Sequence, residues 1–157
     1  MADIHVEEFY KDVAIALVQL YAAFPRRISL FVEDIAGPDD PDDFGLHSQR
    51  HMACFGALLW LCEEGFLRYV DTIRQEALDQ AVLSRSAFTR LSAPAPQVLS
   101  EKLAPNTDQS GLPSSVERDR STYIHLLRTA LKSGSSSQIS LIVQSTFFLD
   151  PELQSVH

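Results

Sequence analysis

The stretch LLWLCEEGFLRYVDTIR, residues 58–74, changes its pattern at Gly65. Before the glycine, apolar residues recur at helical spacing along a stripe that runs from Met52 to Cys62. After the glycine, aromatic and β-branched residues predominate, which is typical of a strand. Because glycine often ends helices, we predict a helix over residues 46–64 that turns at once into a strand.

The predicted strand covers residues 66–74, and residues 79–83 are a second short extended segment. Together they predict a hairpin with its tip at residues 75–78. Ser84 is suited to the N-cap position of a short helix that ends at Leu91.

Three elements are predicted ahead of this region. Apolar spacing indicates a helix over residues 6–21, which Pro25 ends because the residue before a proline avoids helical geometry. Residues 26–29 are a short extended candidate. Residues 30–36 then indicate a two-turn helix with Ser29 as its N-cap.

Beyond the hairpin and the helix that follows it, the composition shifts toward proline, serine and glycine. Residues 93–115 are predicted to be a linker that contains a short helix around residues 98–103. A capping box at residues 114–117 predicts a helix over residues 116–131. Residues 138–148 fit a strand or a helix, and their apolar spacing favours a helix.

The order helix, extended segment, helix, helix, hairpin resembles the winged helix-turn-helix family over about residues 5–92. The residues that carry the resemblance are Pro25 with Ile28, Trp60-Leu61, residues 64–68, Val82-Leu83-Ser84, Phe88 and Leu91. The resemblance implies a recognition helix at the third helix, a wing tip at residues 75–78 and C-terminal helices that serve dimerisation. The connection over residues 37–46 departs from the family, because it is longer and more acidic than a turn of three or four residues.

We therefore expect a mainly α fold with a small β-hairpin. A winged-helix domain would cover residues 1–92, followed by the linker of residues 93–115 and a C-terminal helical segment over residues 116–157. That last segment is expected to pack on the first domain or on a partner copy in a homodimer.

A winged helix that reads DNA uses the first residues of its recognition helix together with the wing. In this chain the first group is Ser48, Gln49 and Arg50, and the second is Arg68 and Arg74. Arginine suits guanine and glutamine suits adenine, so we expect contact with double-stranded DNA and a transcription-regulator function. The alternative is that the three arginines are ordinary solvated charges.

The formal charge of -8 is concentrated near the N-terminus. Residues 1–45 carry ten acidic and three basic residues, net -7, whereas residues 46–92 carry five of each and residues 93–157 are net -1. The candidate DNA surface is therefore neutral overall. However, the acidic loop at residues 37–45 precedes the third helix, where it would repel phosphate.

A protein-interaction module of the winged-helix type, without DNA binding, is the alternative function. Ala53, Ala57 and Trp60 give the third helix a second apolar face beside its main stripe. A helix that is apolar nearly all round is buried on two sides or contacts a partner.

His47, His51 and Cys54 follow one another at spacings of four and three residues, which is compatible with a metal site on one helix. No acidic residue follows the first histidine as in a metalloprotease helix, and no second ligand cluster is seen. We interpret His51 and Cys54 as packing residues and the aspartates of the acidic loop as solvated, since they lack calcium-loop spacing. No nucleophile-elbow or phosphate-binding motif occurs, so we expect no metal, no cofactor and no enzyme activity.

The sequence predicts a cytoplasmic protein that does not enter the membrane. Its N-terminus is acidic and lacks signal-peptide features, and its longest apolar run, residues 57–62, is far below the roughly 18 residues of a membrane span. Cys54 and Cys62 would lie about 12 Å apart along one helix, too far for a disulfide, so reduced thiols are expected.

Overall fold

Among the residues that the structure describes, helices predominate beside one small antiparallel sheet of four strands. The structure is a computed structural model, and it describes residues 3–103 and 121–149. In chain order the elements are α1 (Ile4–Ala23), β1 (Ile28–Phe31), α2 (Val32–Ala36), α3 (Gln49–Glu63), β2 (Leu67–Arg68), β3 (Asp71–Ile73), β4 (Ala77–Leu83), α4 (Arg85–Ser92), α5 (Gln97–Leu103), α6 (Tyr123–Ser133) and α7 (Ser136–Val143). A π-helical turn, Gln144–Phe148, continues α7.

The chain divides into two compact units, Met1–Ala87 and Phe88–His157. The boundary falls inside α4, whereas the sequence suggested a boundary after that helix. Arg90 donates hydrogen bonds to the backbone carbonyls of Thr146 and Phe147, so this half of α4 belongs with the C-terminal helices.

In the first unit, α1, α3 and the sheet contribute the core. Its largest fully buried side chains are Leu17, Leu20, Leu30, Leu58, Leu61, Leu67, Leu78 and Leu83. In α1 and α3 these residues recur every three residues, which places them on one face of each helix. The helical prediction for residues 6–21 is confirmed, and α3 begins three residues later than the predicted 46–64.

β4 is the central strand of the sheet. β1 and β3 pair antiparallel with it on either side, so that Leu30 and Thr72 both lie opposite Leu78. β2 pairs with the end of β4, where Leu67 lies opposite Leu83.

The predicted hairpin is present, with its turn at residues 74–76 rather than 75–78. Arg74 adopts a φ of 52°, a left-handed conformation that lets the chain reverse tightly. The single strand predicted over residues 66–74 is divided into β2 and β3 by residues 69–70.

The helix predicted over residues 30–36 starts two residues late, because Leu30 and Phe31 belong to β1. Leu30 is fully buried opposite Leu78, and a pairing between residues so distant in sequence leaves no local signal. Ser29 does not cap α2, because the helix begins at Val32 and its N-cap residue is Phe31. The hydroxyl of Ser29 donates instead to the carboxylate of Asp79 at 3.4 Å.

The second unit confirms two helical predictions. α5 matches the short helix expected around residues 98–103, and α7 with its π-helical turn matches the helix favoured for residues 138–148. α6 has Thr122 as its N-cap. The predicted capping box at residues 114–117 and the predicted helix start at 116 lie outside the described residues.

Part of the predicted linker forms backbone pairs. Pro94 and Thr122 form an isolated antiparallel β-bridge, beside which Tyr123 N–H donates to the carbonyl of Ala93 at 3.1 Å. Residues 104–115 of that linker lie outside the described part of the chain.

Both cysteines are free thiols, Cys54 buried and Cys62 half-buried. Burial raises the pKa of Cys54 to about 12 and that of Cys62 to about 11, so both stay protonated near neutral pH. Within residues 3–103 and 121–149, no helix combines the length and the apolarity needed to cross a membrane.

Candidate functional site

The start of α3 is fixed by Ser48 and Asp39. The hydroxyl oxygen of Ser48 accepts from the backbone N–H of His51 at 3.1 Å, which makes Ser48 the N-cap. The same hydroxyl donates to Asp39 Oδ1 at 2.6 Å, and the Ser48 backbone N–H donates to that oxygen at 3.3 Å. Hydrogen bonds from Ser48, and a further one from His47, lower the pKa of Asp39 to about 2, so its carboxylate is ionised near neutral pH.

Asp39, His47 and His51 bring three metal-ligating side chains together beside this helix start. One ligand atom from each residue lies within 4.8 Å of the others. Asp39 Oδ2 accepts from His47 Nδ1 at 2.6 Å and lies 3.7 Å from His51 Nδ1. The two imidazole rings are stacked with their centroids 3.9 Å apart. We call these three residues the Asp39 cluster.

His51 is oriented by the backbone of the hairpin turn. Its Nε2 donates to the carbonyl oxygen of Gln75 at 2.7 Å. Because a carbonyl oxygen only accepts, Nε2 carries the hydrogen, and a neutral ring then presents a lone pair at Nδ1. His51 is only 5% exposed, and its Nδ1 has no hydrogen-bond partner within the described residues. This buried nitrogen faces the carboxylate of Asp39.

A cavity of about 250 Å³ opens onto the Asp39 cluster. Its other lining residues are Phe31, Glu33, Pro41 and Glu76. Two of these four are carboxylates, so the cavity favours a cation over an anion.

Arg50, in the first turn of α3, is held by α1. Its guanidinium donates to both carboxylate oxygens of Asp12, at 2.7 Å for Nη1 and Oδ2, and lies 3.7 Å from Glu8. Asp12 is 1% exposed, so this two-pronged ion pair connects α1 and α3 at a buried point. The hydrogen bond from Asp12 raises the pKa of Arg50 above its usual range.

A second surface of α3 is apolar and exposed. Ala53, Gly56 and Trp60 form an exposed stripe along the helix, and a cavity of about 270 Å³ adjoins Ala53 together with Val6 and Phe9 of α1. Trp60 is 37% exposed, and its ring packs edge-on against Phe9 with the centroids 5.5 Å apart. We call this surface, formed by these five residues, the α1–α3 groove.

The five residues predicted to contact DNA fall into two groups. Ser48 and Arg50 form hydrogen bonds with carboxylates of the same unit. Gln49, Arg68 and Arg74 are exposed. Contact of these residues with DNA stays a prediction, but the first group uses its polar atoms inside the molecule.

The predicted interaction face needs one correction. Ala53 and Trp60 are exposed, whereas Ala57 is 6% exposed and belongs to the core. Successive residues of a helix are rotated by about 100°, so Gly56 takes the place on the exposed stripe that had been assigned to Ala57.

The sequence grouped Cys54 with the two histidines and missed Asp39. Cys54 is fully buried and is not part of the cluster, while Asp39 supplies the third ligand-type side chain. The histidine pair at four-residue spacing was the only readable signal. Four aspartates occur in the acidic loop, and only the fold selects one of them.

Comparisons with protein-family models, with curated proteins and with solved structures find no match to this chain. Its function is therefore inferred from its own residues.

Proposed function

We propose that this chain is a non-enzymatic domain of the winged-helix type that binds a basic, amphipathic helical segment of a partner protein. The binding surface is the α1–α3 groove. The observation that carries the proposal is the exposed apolar stripe of Ala53, Gly56 and Trp60 beside a cavity. The element order α1, β1, α2, α3 and the β3–β4 hairpin supports the winged-helix type.

The shape of the groove suits a helix. Because the side chains of Ala53 and Gly56 are small, the backbone of a partner can approach α3 closely. Trp60 stands at one end, already oriented by its contact with Phe9. Large aromatic side chains with small neighbours are typical anchors in helix-in-groove complexes.

The charge of the groove's rim indicates which helix it would take. Glu8 is partly exposed and lines the cavity with Asp12 and Arg50, and the single guanidinium of Arg50 faces both of these carboxylates. Glu8 and Asp12 belong to residues 1–45, which carry a net charge of -7. A partner with lysines or arginines flanking its apolar face is therefore favoured by charge complementarity.

The first turn of α3 supports a protein partner over DNA. Arg50 is the residue best suited to reading guanine, but its guanidinium pairs with Asp12. Asp39 lies at the start of the helix, where an ionised carboxylate opposes a phosphate.

Trp60 provides the test, because it is the single tryptophan of the chain. The probe is a synthetic helical peptide with leucines at helical spacing and lysines on its other face. We expect saturable changes in Trp60 fluorescence when the peptide binds. A matched peptide with the same leucines and glutamates in place of the lysines should bind at least about tenfold more weakly, which is about 1.4 kcal/mol.

Ala53→Arg is the blocking variant, since it places a long charged side chain in the groove without disturbing the core. Val98→Arg is its matched control, because Val98 is also exposed, at 63%, but lies on α5. We expect peptide binding to be lost in the first variant and kept in the second. Equal binding by both variants would contradict the proposal.

A second copy of this chain is the competing occupant of the groove. Sedimentation of the full chain tests it, because a dimer that Ala53→Arg converts to a monomer would show that the groove binds itself. That result would overturn the assignment to a basic partner.

DNA binding remains the second candidate, favoured by the exposed Gln49, Arg68 and Arg74. Its test is binding to a mixed-sequence duplex at about 50 mM salt, where phosphate contacts are strongest. Binding that weakens in Arg74→Ala and is unchanged in Ala53→Arg would support this candidate over the groove.

A further inference from the structure

We infer that the Asp39 cluster is a binding site for a divalent transition-metal ion. The site is separate from the α1–α3 groove and does not depend on it. Its ligands are one carboxylate oxygen and two imidazole nitrogens, the donor set that Zn²⁺ and Fe²⁺ prefer.

The donor atoms are already grouped. In a tetrahedral zinc site with bonds of about 2.0–2.1 Å, neighbouring ligand atoms lie about 3.3 Å apart. The distance from Asp39 Oδ2 to His51 Nδ1 is 3.7 Å, and all three donors lie within 4.8 Å of one another. The His47 nitrogen lies closer to Asp39, at 2.6 Å, because a hydrogen bond joins the two groups. A metal ion would displace that hydrogen from Nδ1 as a proton, which leaves the ring neutral with its hydrogen on Nε2.

The second, independent observation is the buried nitrogen of His51. Its Nδ1 has no hydrogen-bond partner among the described residues and faces a carboxylate. The 3.7 Å between these two atoms is too long for a hydrogen bond and close to the spacing of neighbouring ligand atoms around one metal ion.

The surroundings of the ligands are also those of a metal site. A ligating histidine commonly donates its other ring N–H to a backbone carbonyl, and His51 Nε2 donates to Gln75 in this way. Asp39 is held by Ser48 through Oδ1, which leaves Oδ2 for the ion. Three protein ligands leave at least one coordination position, and the adjoining cavity of about 250 Å³ has room for water or a small ligand there.

Calorimetric titration of the chelator-treated full chain with Zn²⁺ tests the inference. We expect one ion per chain with a Kd tighter than about 10 μM. His47→Ala should weaken binding by at least about 100-fold, because even second-shell substitutions cost 10- to 100-fold. Asp39→Asn, which keeps the shape of the side chain, serves as the second variant and should also weaken binding strongly.

Two variants serve as matched controls. Asp43→Asn removes the same charge from the same loop at an exposed position, and His125→Ala removes a histidine from α6. Both should bind Zn²⁺ as the natural chain does. Co²⁺ gives a second readout, since its visible absorption should change in the natural chain and not in His47→Ala.

Two results would overturn the inference. One is no Zn²⁺ binding by the natural chain, which would leave a proton as the only cation between His51 and Asp39. The other is equal weakening by Asp39→Asn and Asp43→Asn, which would indicate diffuse attraction to an acidic loop.

Discussion

The first turn of α3 and its exposed stripe lie on the same helix but use their side chains differently. In the first turn, Arg50 and His51 bond to Asp12 and Gln75, so their polar atoms stabilise the fold. Along the stripe, Ala53 and Trp60 present apolar atoms to solvent. The comparison teaches that polar residues at the start of a predicted recognition helix do not by themselves indicate a surface that reads DNA.

Arg50→Ala, in the first turn of α3, should lower the stability of the fold more than any other substitution considered for this helix. The substitution leaves the carboxylate of Asp12, 1% exposed, without its ion-pair partner. We expect the free energy of unfolding to fall by about 3–5 kcal/mol, as for other broken buried pairs, measured by urea denaturation. Arg68→Ala is the control, and at an exposed position it should change stability by no more than about 0.5 kcal/mol. Equal effects of the two substitutions would mean that Arg50 is a surface charge.

Ser48→Ala should have the next largest effect. It removes the N-cap hydroxyl that bonds to the His51 N–H and to Asp39, at an expected cost of about 1 kcal/mol. Ser48→Gly is the matched variant, because glycine at an N-cap costs only a few tenths of a kcal/mol. An identical loss in both variants would shift the explanation from helix capping to the contact with Asp39.

Gly56→Ala, in the exposed stripe, should stabilise the fold, whereas the two substitutions in the first turn should destabilise it. No atom lies within 4 Å of the place a Cβ would take, so alanine fits. Alanine should raise the free energy of unfolding by about 0.5–1 kcal/mol, because glycine is the poorer helix former. The same substitution should weaken binding of the lysine peptide, so stability and binding would move in opposite directions. Tighter peptide binding would contradict the role of Gly56 in the groove.

Ala53→Arg should have the smallest effect on the fold. Position 53 is exposed, and arginine is a good helix former, so unfolding should change by no more than about 0.5 kcal/mol. Thermal denaturation followed by circular dichroism checks this. A larger loss would show that position 53 contributes to the core.

The sequence predicted the elements whose signals are local. α1 and α3 follow from apolar spacing, the end of α3 from Gly65, and α4 from Ser84, whose hydroxyl accepts from the Ala87 N–H. β1 was partly assigned to a helix, because its strand character depends on pairing with β4, far along the chain. Local spacing carries no information about such partners.

The candidate site was less predictable than the fold. His47 and His51 could be paired from their spacing, but Asp39 joins them only through the path of the acidic loop. Likewise, the pairing of Arg50 with Asp12 depends on how α3 lies against α1. A charged side chain looks the same in sequence whether it is solvated or held in a buried ion pair.

Asp39 can couple ligand binding to folding, because its two carboxylate oxygens contact different parts of the first unit. Oδ1 accepts from Ser48 at the start of α3, and Oδ2 faces the two imidazoles. A ligand that binds Oδ2 only in the folded chain shifts the folding equilibrium by mass action, in proportion to the logarithm of its concentration. The stability of this helix start would then rise with the concentration of the metal ion, and the acidic loop would make the fold respond to that concentration.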